Sequence, residues 1–304
     1  MNHFFFHNDL DGIVSAALYA GAARSFDGCD YVLHPVASVL YGKRFEAMLN
    51  GMENVHILDY QYDPRARLWI DHHQNETIGF ERVLNEKIAY DHTAKSAAHL
   101  VSDYVARFMG QQTDSAIIDA IDMIDSAGYP SVDFIFKDTS PMMILRAFLE
   151  MTVYPSEMMY CRIVEVMSRC KSVPQALEVL NIDKGYVKKL EQKAMAVRNH
   201  IEVYGKVSVV RQRHPLQNPR YSEALAVKTQ YNVRITDASS TEKRIQVAYN
   251  KWHEQPNLVN IGKYLRECKM CQNGGGHFNV GGGVITNDKV DDFLDDFSLT
   301  VGED

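Results

Sequence analysis

Residues 3–12 read HFFFHNDLDG, and residues 13–26 continue IVSAALYAGAARSF. The first five are an apolar run framed by histidines, which predicts a short buried strand. HNDLDG then carries the chain into an apolar helix, with Gly12 letting the backbone turn tightly. His7, Asp9 and Asp11 fall at alternate positions where the strand ends. Residues two apart in extended chain point the same way, so one strand end can present an imidazole and two carboxylates to one point. The plainer reading of the same residues is a polar loop whose aspartate caps the helix.

Working outward, YVLHPV (31–36), VHILD (55–59) and LWID (68–71) also read as short apolar strands, and residues 95–108 and 113–124 as helices. Strands alternating with helices predict a parallel sheet covered on both faces. Ligands of such sheets bind at the carboxyl edge. His7, Asp59 and Asp71 each close a predicted strand, so they can converge there. From about 140 to 204 the chain reads as helical, ending in the amphipathic KGYVKKLEQKAMAVRNHIEVY. Beyond 205 the pattern changes to strands, KVSVVR, EALAVKT, YNVRITD and KRIQVAYN, then a helix, LVNIGKYLREC, and a glycine-rich loop, NGGGHFNVGGG. The expected organisation is an α/β fold with a parallel-sheet domain over 1–180, a helical connector over 181–204 and a smaller α/β domain over 205–304.

Composition narrows the function. The 304 residues are 46% hydrophobic with a net charge of −7, and DKVDDFLDDFSLTVGED at the C-terminus holds part of that deficit. Proteins that grip long nucleic acid carry a positive surface, so a short or small phosphorylated substrate fits better than a duplex. No apolar run approaches the roughly 18 residues of a membrane span, and the start lacks the basic region of a signal or transit peptide. Five scattered cysteines argue against a disulfide framework and for a reducing, cytoplasmic setting.

Other constellations carry chemistry. Asp71-His72-His73 sets a carboxylate and two imidazoles at a strand end. One imidazole can ligate a metal while its neighbours fix orientation. Asp59 alone is a common turn residue. Asp119, Asp122 and Asp125 in IIDAIDMIDSAGY are spaced by three, on neighbouring positions of one helix face; Asp119 reads as solvated, and Asp125, at the helix end, as the better ligand. Gly274-Gly275-Gly276-His277 can bring backbone N–H groups close to an anion, although glycine loops also serve as linkers. Cys268 and Cys271 form one CxxC, but zinc needs further ligands. Tyr249, Trp252 and Phe278 are either base-stacking platforms or core.

The ordered set HNDLDG, a strand-end Asp59, WIDHH, IDSAGY and a late GGGH resembles the DHH phosphoesterase superfamily, and within it the members with a C-terminal DHHA1 domain. The resemblance spans residues 7 to 283. It implies a di-metal site, usually manganese, in the first domain and substrate binding by the second. His7, Asp9, Asp11, Asp59 and His72 would be ligands, with Asp59 bridging two ions and Asp71 and His73 in support; Asp125, or Asp122 in its place, completes the set. Gly274 to His277 would contact substrate, with Arg244 and Lys243 as basic candidates on KRIQVAYN. Two features depart from the family: only YQYDPRARLWI lies between Asp59 and Asp71, where many relatives place a helix, and HxDxDG is nearer the nuclease and short-oligonucleotide branches than the pyrophosphatase branch.

Carboxylates and imidazoles suit Mn²⁺ or Mg²⁺. Two such ions about 3.5–4 Å apart lower the pKa of a water held between them. The expectation is a two-metal phosphodiesterase of the short-oligoribonuclease type, cutting short single-stranded RNA or (cyclic) dinucleotides, with no membrane or long-duplex partner and a homodimer left open. The alternatives are an exopolyphosphatase- or pyrophosphatase-like enzyme and a non-catalytic binding protein or scaffold on the same fold.

Overall fold

The computed structural model describes residues 1–302 apart from 29, 38–41, 74–80, 153–155, 199, 213–224, 254–257 and 277. In chain order, β1 (Asn2–His7), α1 (Leu10–Asp27), β2 (Tyr31–Val36), α2 (Lys43–Met48), β3 (Val55–Leu58), β4 (Leu68–Asp71), β5 (Arg82–Leu84) and β6 (Ile88–Asp91) come first. Next are α3 (Ala97–Met109), α4 (Ser115–Asp125), α5 (Val132–Lys137), α6 (Pro141–Met151), α7 (Glu157–Met167), α8 (Val173–Leu180) and α9 (Gly185–Arg198). Last are β7 (Ile201–Tyr204), β8 (Val207–Gln212), β9 (Tyr231–Asp237), β10 (Glu242–Tyr249), α10 (Ile261–Glu267), β11 (Gln272–Gly276), β12 (Val280–Thr286) and α11 (Val290–Gly302). Contacts divide the chain into two units, Met1–Tyr129 with Asp138–Tyr186, and Pro130–Lys137 with Val187–Asp304.

The first unit is built on a sheet of order β2-β1-β3-β4-β6-β5, parallel except for the β5–β6 pair. Both faces of β1 are buried, which is why it reads as an unbroken apolar run. Phe4 meets Tyr19 of α1 on one face, while Phe5 meets Phe45 of α2 on the other. α1 packs against α3 and α7 as well as β1, and its many alanines let those neighbours approach. Strands β5 and β6 add to the expected set: RVL and IAYD are short and broken by the polar NEK, so their sequence signal is weak.

β3 and β4 are parallel neighbours joined by residues 59–67 alone, although such a crossover usually contains a helix. Hydrogen bonds hold this connection in place of helix packing. Trp69 Nε1–H donates to the Tyr60 carbonyl (2.8 Å), Arg67 N–H to that of Val55 (2.7 Å) and Asp59 N–H to that of Ile70 (2.8 Å). Arg65 spans it, pairing with Asp63 and donating to Asn50 Oδ1 and the Glu46 carbonyl.

The second unit carries a sheet of order β11-β12-β10-β9-β8-β7, antiparallel but for β8–β9. Val207, Val209, Tyr231, Val233, Ile235, Ile245, Val247 and Ile285 line one face and form a core with residues of α10 and α11. Three expectations change here. The helix expected to run to Tyr204 ends at Arg198, and residues 201–204 become strand β7 against β8. In EALAVKT, residues 226–229 form a turn, because Asn250 Nδ2–H donates to both the Ala226 and Thr229 carbonyls (3.0 and 2.8 Å). The glycine-rich stretch is mostly the hairpin strands β11 and β12. Its glycines are needed for closeness: a Cβ on Gly274 would lie 2.1 Å from the Leu265 carbonyl oxygen, and one on Gly281 2.6 Å from that of Gly275.

Gly12 also acts through size. It lies inside α1, where a Cβ would sit 2.1 Å from the His7 carbonyl oxygen. Gly12→Ala is therefore expected to destabilise the protein by about 3 kcal/mol, the upper range for overpacking, with urea unfolding as the measurement. An unchanged midpoint would mean the strand–helix junction relaxes freely.

Candidate metal centre

The carboxyl edge of the first sheet gathers the predicted ligands. His7 ends β1, Asp59 follows β3, Asp71 ends β4 with His72 and His73 beyond it, and Asp125 ends α4. Asp9 caps α1, accepting a hydrogen bond from Gly12 N–H (3.0 Å), so the helix-cap reading and the cluster reading both hold for this residue. His7 Nδ1 lies 2.8 Å from Asp9 Oδ2 and 3.7 Å from Asp59 Oδ2. His72 Nε2 lies 3.6 Å from Asp11 Oδ2, 3.8 Å from Asp59 Oδ1 and 3.4 Å from Asp125 Oδ2. Among the described residues, three overlapping sets could hold metal ions: His7, Asp9 and Asp59; Asp59, His72 and His73; and Asp11, His72 and Asp125.

Supporting contacts decide which atoms point inward. His72 Nδ1 is 3.0 Å from the Ala94 carbonyl oxygen, so Nδ1 is the donor and Nε2 faces the cluster. Asp71 Oδ1 accepts from His72 N–H (2.8 Å), His73 N–H (3.2 Å) and His73 Nδ1–H (2.8 Å), and so fixes the backbone of both residues and orients the His73 imidazole. Asp11 accepts from Ala97 and Ala98 N–H (2.7 and 2.9 Å), the positive end of α3. The expected helix over 95–108 starts at Ala97 behind the N-cap Ser96, but no sequence motif links this terminus to Asp11. Asp122 is occupied elsewhere, accepting from Ser96 Oγ (2.6 Å) and bonding His99 Nδ1 (2.9 Å). Asp125, and not Asp122, is therefore the fourth-motif carboxylate that faces His72. Asp119 is exposed.

Asp59 is the least compensated group. It has a left-handed backbone (φ 55°), which costs an L-residue about 1–2 kcal/mol. Its side chain is 1% exposed, and among the described residues neither carboxylate oxygen has a hydrogen bond. Burial first, then the charges of Asp11 and Asp9, push its carboxyl well above the ordinary range. Asp11 moves the same way through burial, Asp125 and Asp9, against the pull of the two α3 amides. Burial would lower His73, but the Asp71 charge and hydrogen bond outweigh it and push His73 up to about 10. His7 is likewise raised, with Asp9 prevailing over burial, and Asp9 is held low by His7 and Gly12 N–H despite burial. Oxygen and imidazole donors crowded around an orphaned buried carboxylate fit hard divalent cations.

Of the expected substrate residues, Gly274, Gly275 and Gly276 lie on β11, and His277 falls outside the described residues. Arg244 is exposed on β10, whereas Lys243 pairs with Asp237. Tyr249 packs against the second unit's core, as do Cys268 and Cys271, while Phe278 is 52% exposed. Trp252 lies under the Lys251 ammonium.

No protein-family model matches the sequence, and no curated protein resembles it by sequence. Solved structures do share its architecture. The pGpG-specific phosphodiesterase PggH from Vibrio cholerae superposes over 99% of this chain and 99% of its own, with a TM-score of 0.68 at 16% identity. RecJ of Thermus thermophilus in complex with Mn²⁺ covers 99% of this chain and 52% of its own (TM-score 0.57, 11% identity). The DHH domain of PF0399, a member of the s1p family of ribosomal proteins, covers 98% and 86% (TM-score 0.56, 14% identity). This chain has the DHH-type fold. Within that fold, the carboxylate–imidazole cluster occupies the carboxyl edge of the parallel sheet.

Asp59→Asn replaces a buried carboxyl, whose ionisation is opposed by burial and by other carboxylates, with a neutral amide. In EDTA at pH 7 it is expected to stabilise the protein by about 1–3 kcal/mol. In Mn²⁺ the order should reverse, because the ion stabilises only a folded state that binds it. Urea unfolding in both buffers checks the two signs; equal Mn²⁺ stabilisation of both proteins would separate Asp59 from metal binding.

Proposed function

We propose that the chain is a two-metal phosphodiesterase that hydrolyses short oligoribonucleotides or (cyclic) dinucleotides. The observation that carries this reading is the two-sided setting of Asp59. Its Oδ2 faces His7, and its Oδ1 faces His72 and His73. A carboxylate so placed can serve two cation positions at once. In this reading His7 and Asp9 complete one position, and Asp11, His72 and Asp125 the other. When bound, a pair of Mn²⁺ or Mg²⁺ ions supplies Lewis acidity and an activated water for in-line attack on phosphorus.

The chain's own residues fix the donors. Asp71 holds the His73 imidazole, the Ala94 carbonyl holds that of His72, and the α3 N-terminus holds Asp11. Gly274 to His277 and Arg244 of the second unit are the proposed substrate contacts, with backbone N–H groups and a guanidinium suited to phosphate oxygens. The similarity of fold to a pGpG-specific phosphodiesterase and to the exonuclease RecJ supports a nucleotide substrate. Free cysteines support a cytoplasmic setting, and among the described residues no helix is long and apolar enough to cross a membrane.

The test is a Mn²⁺-supplemented hydrolysis panel of pApA, a 5-mer RNA, cyclic dinucleotides, pyrophosphate and polyphosphate. Nucleotide cleavage by wild type and none by Asp59→Ala is expected. Phosphate release from pyrophosphate or polyphosphate alone would move the chain to the pyrophosphatase-like class. Silence throughout would favour a non-catalytic role. Asp71→Ala is expected to keep bound metal but lose roughly 10–100-fold in turnover, as when an orienting partner is removed; metal analysis beside the rate measurement separates that outcome from loss of a ligand.

A further inference from the structure

The second sheet buries a polar face whose hydrogen-bonding groups its fold uses only in part, as where Asn232 Oδ1 accepts from Ser208 Oγ. Along β9, Tyr231, Val233 and Ile235 enter the apolar core, so Asn232, Arg234 and Thr236 point to the opposite face. These three are only 1–3% exposed. Arg234 stands out among them. It is 2% exposed, and among the described residues Nε, Nη1 and Nη2 all lack a hydrogen-bond partner. Asn232 Nδ2 on the same face is unpartnered as well. The charge that acts on Arg234 is of like sign: burial and Arg244 bring its guanidinium down to about 10, which leaves it cationic at neutral pH.

The register explains how a ligand could reach it. Gln246 of β10 lies opposite Arg234, and Arg244 opposite Thr236, so the two arginines are diagonal neighbours on one face. Gly282 of β12 lies opposite Gln246 and adds no side chain there. Arg244 is exposed, and Gln246 and Gly282 are half-buried, so this face opens at its β10–β12 side. A buried guanidinium is normally paired. Here two guanidiniums share a face with free donors and a glycine clearing.

We infer that Arg234, with Arg244 at the mouth, forms an anion subsite that takes a phosphate group, and that it makes the enzyme prefer short oligonucleotides bearing a terminal phosphate. A phosphate accepts from both guanidiniums and offsets both charges. The preference for an oligonucleotide rests on the phosphodiesterase reading; the anion subsite does not.

Calorimetry on the full-length protein in EDTA, without turnover, tests the subsite using pApA, ApA and inorganic phosphate. Wild type should bind pApA at least tenfold more tightly than ApA. Arg234→Gln should abolish that ratio while leaving ApA binding unchanged, and Arg234→Lys and Arg244→Gln should each reduce it in part. Urea unfolding confirms that each variant is folded. Equal binding of pApA and ApA by wild type, or a ratio unchanged in folded Arg234→Gln, would overturn the proposal. Arg234-dependent binding of inorganic phosphate but no preference for pApA would assign the subsite to free phosphate and overturn the substrate claim. With Mn²⁺, the KM ratio of the two dinucleotides should follow the binding ratio. If no nucleotide is hydrolysed while the Arg234-dependent preference persists, the phosphodiesterase reading falls and the subsite stands.

Discussion

Everything at the carboxyl edge of the first sheet depends on keeping like charges together. Asp9, Asp11, Asp59, Asp71 and Asp125 approach one another around three imidazoles, and Asp11 and Asp59 are almost fully buried. Burying one unpaired carboxylate is costly, and crowding others beside it adds repulsion. The fold offsets this with local positive ends. α1 offers a first-turn amide to Asp9, and α3 offers two to Asp11. Asp71 is satisfied by the amides and ring of the two histidines that follow it. Asp59 receives no hydrogen bond and rests on a left-handed backbone as well. Strain and missing compensation at one buried residue mark a site organised around something that binds.

That organisation accounts for otherwise puzzling local features. The bare β3–β4 connection runs directly between Asp59 and the strand that ends in Asp71, and it is fastened by backbone and Arg65 hydrogen bonds. Asp59 N–H bonds to the Ile70 carbonyl, so the orphaned carboxylate is tied to the strand that delivers Asp71, His72 and His73. Asp122, one turn before Asp125, locks Ser96 and His99 and thereby sets the α3 terminus that serves Asp11. Two aspartates three residues apart thus support the same centre by different routes.

Much of this is legible in the sequence, for physical reasons. Strands β1 to β4 are apolar runs, several closing on a charged residue, and a buried parallel strand has that signature. Their order and the carboxylates at their ends are enough to locate the cluster. Spacing alone does not choose between Asp122 and Asp125, which share one helix face; the positions of Ser96 and His72 decide. Val197, Ile201 and Tyr204 keep helical spacing, which hides the change to strand at β7. The glycines of β11 and β12 signal freedom of φ, but at Gly274 and Gly281 the determining property is the absence of a Cβ. Arg234 gives no signal in the sequence, because Asn, Arg and Thr alternating with apolar residues look like an ordinary solvated strand face; only the burial of that face distinguishes it.

Asp59 and Arg234 form an instructive pair. Each is nearly excluded from solvent and each side chain lacks a hydrogen bond, yet they carry opposite signs and belong to different units. Selection for stability alone would replace either with an apolar residue, because even a matched buried ion pair can be less stable than hydrophobic packing. A buried carboxylate without a hydrogen bond in one unit suits a cation, and a buried guanidinium without one in the other suits an anion. A divalent metal ion answers the first and a phosphate group the second. A metal-binding scaffold would leave Arg234 unexplained, and a phosphate-binding module would leave Asp59 unexplained; the proposed phosphodiesterase reading has a use for both.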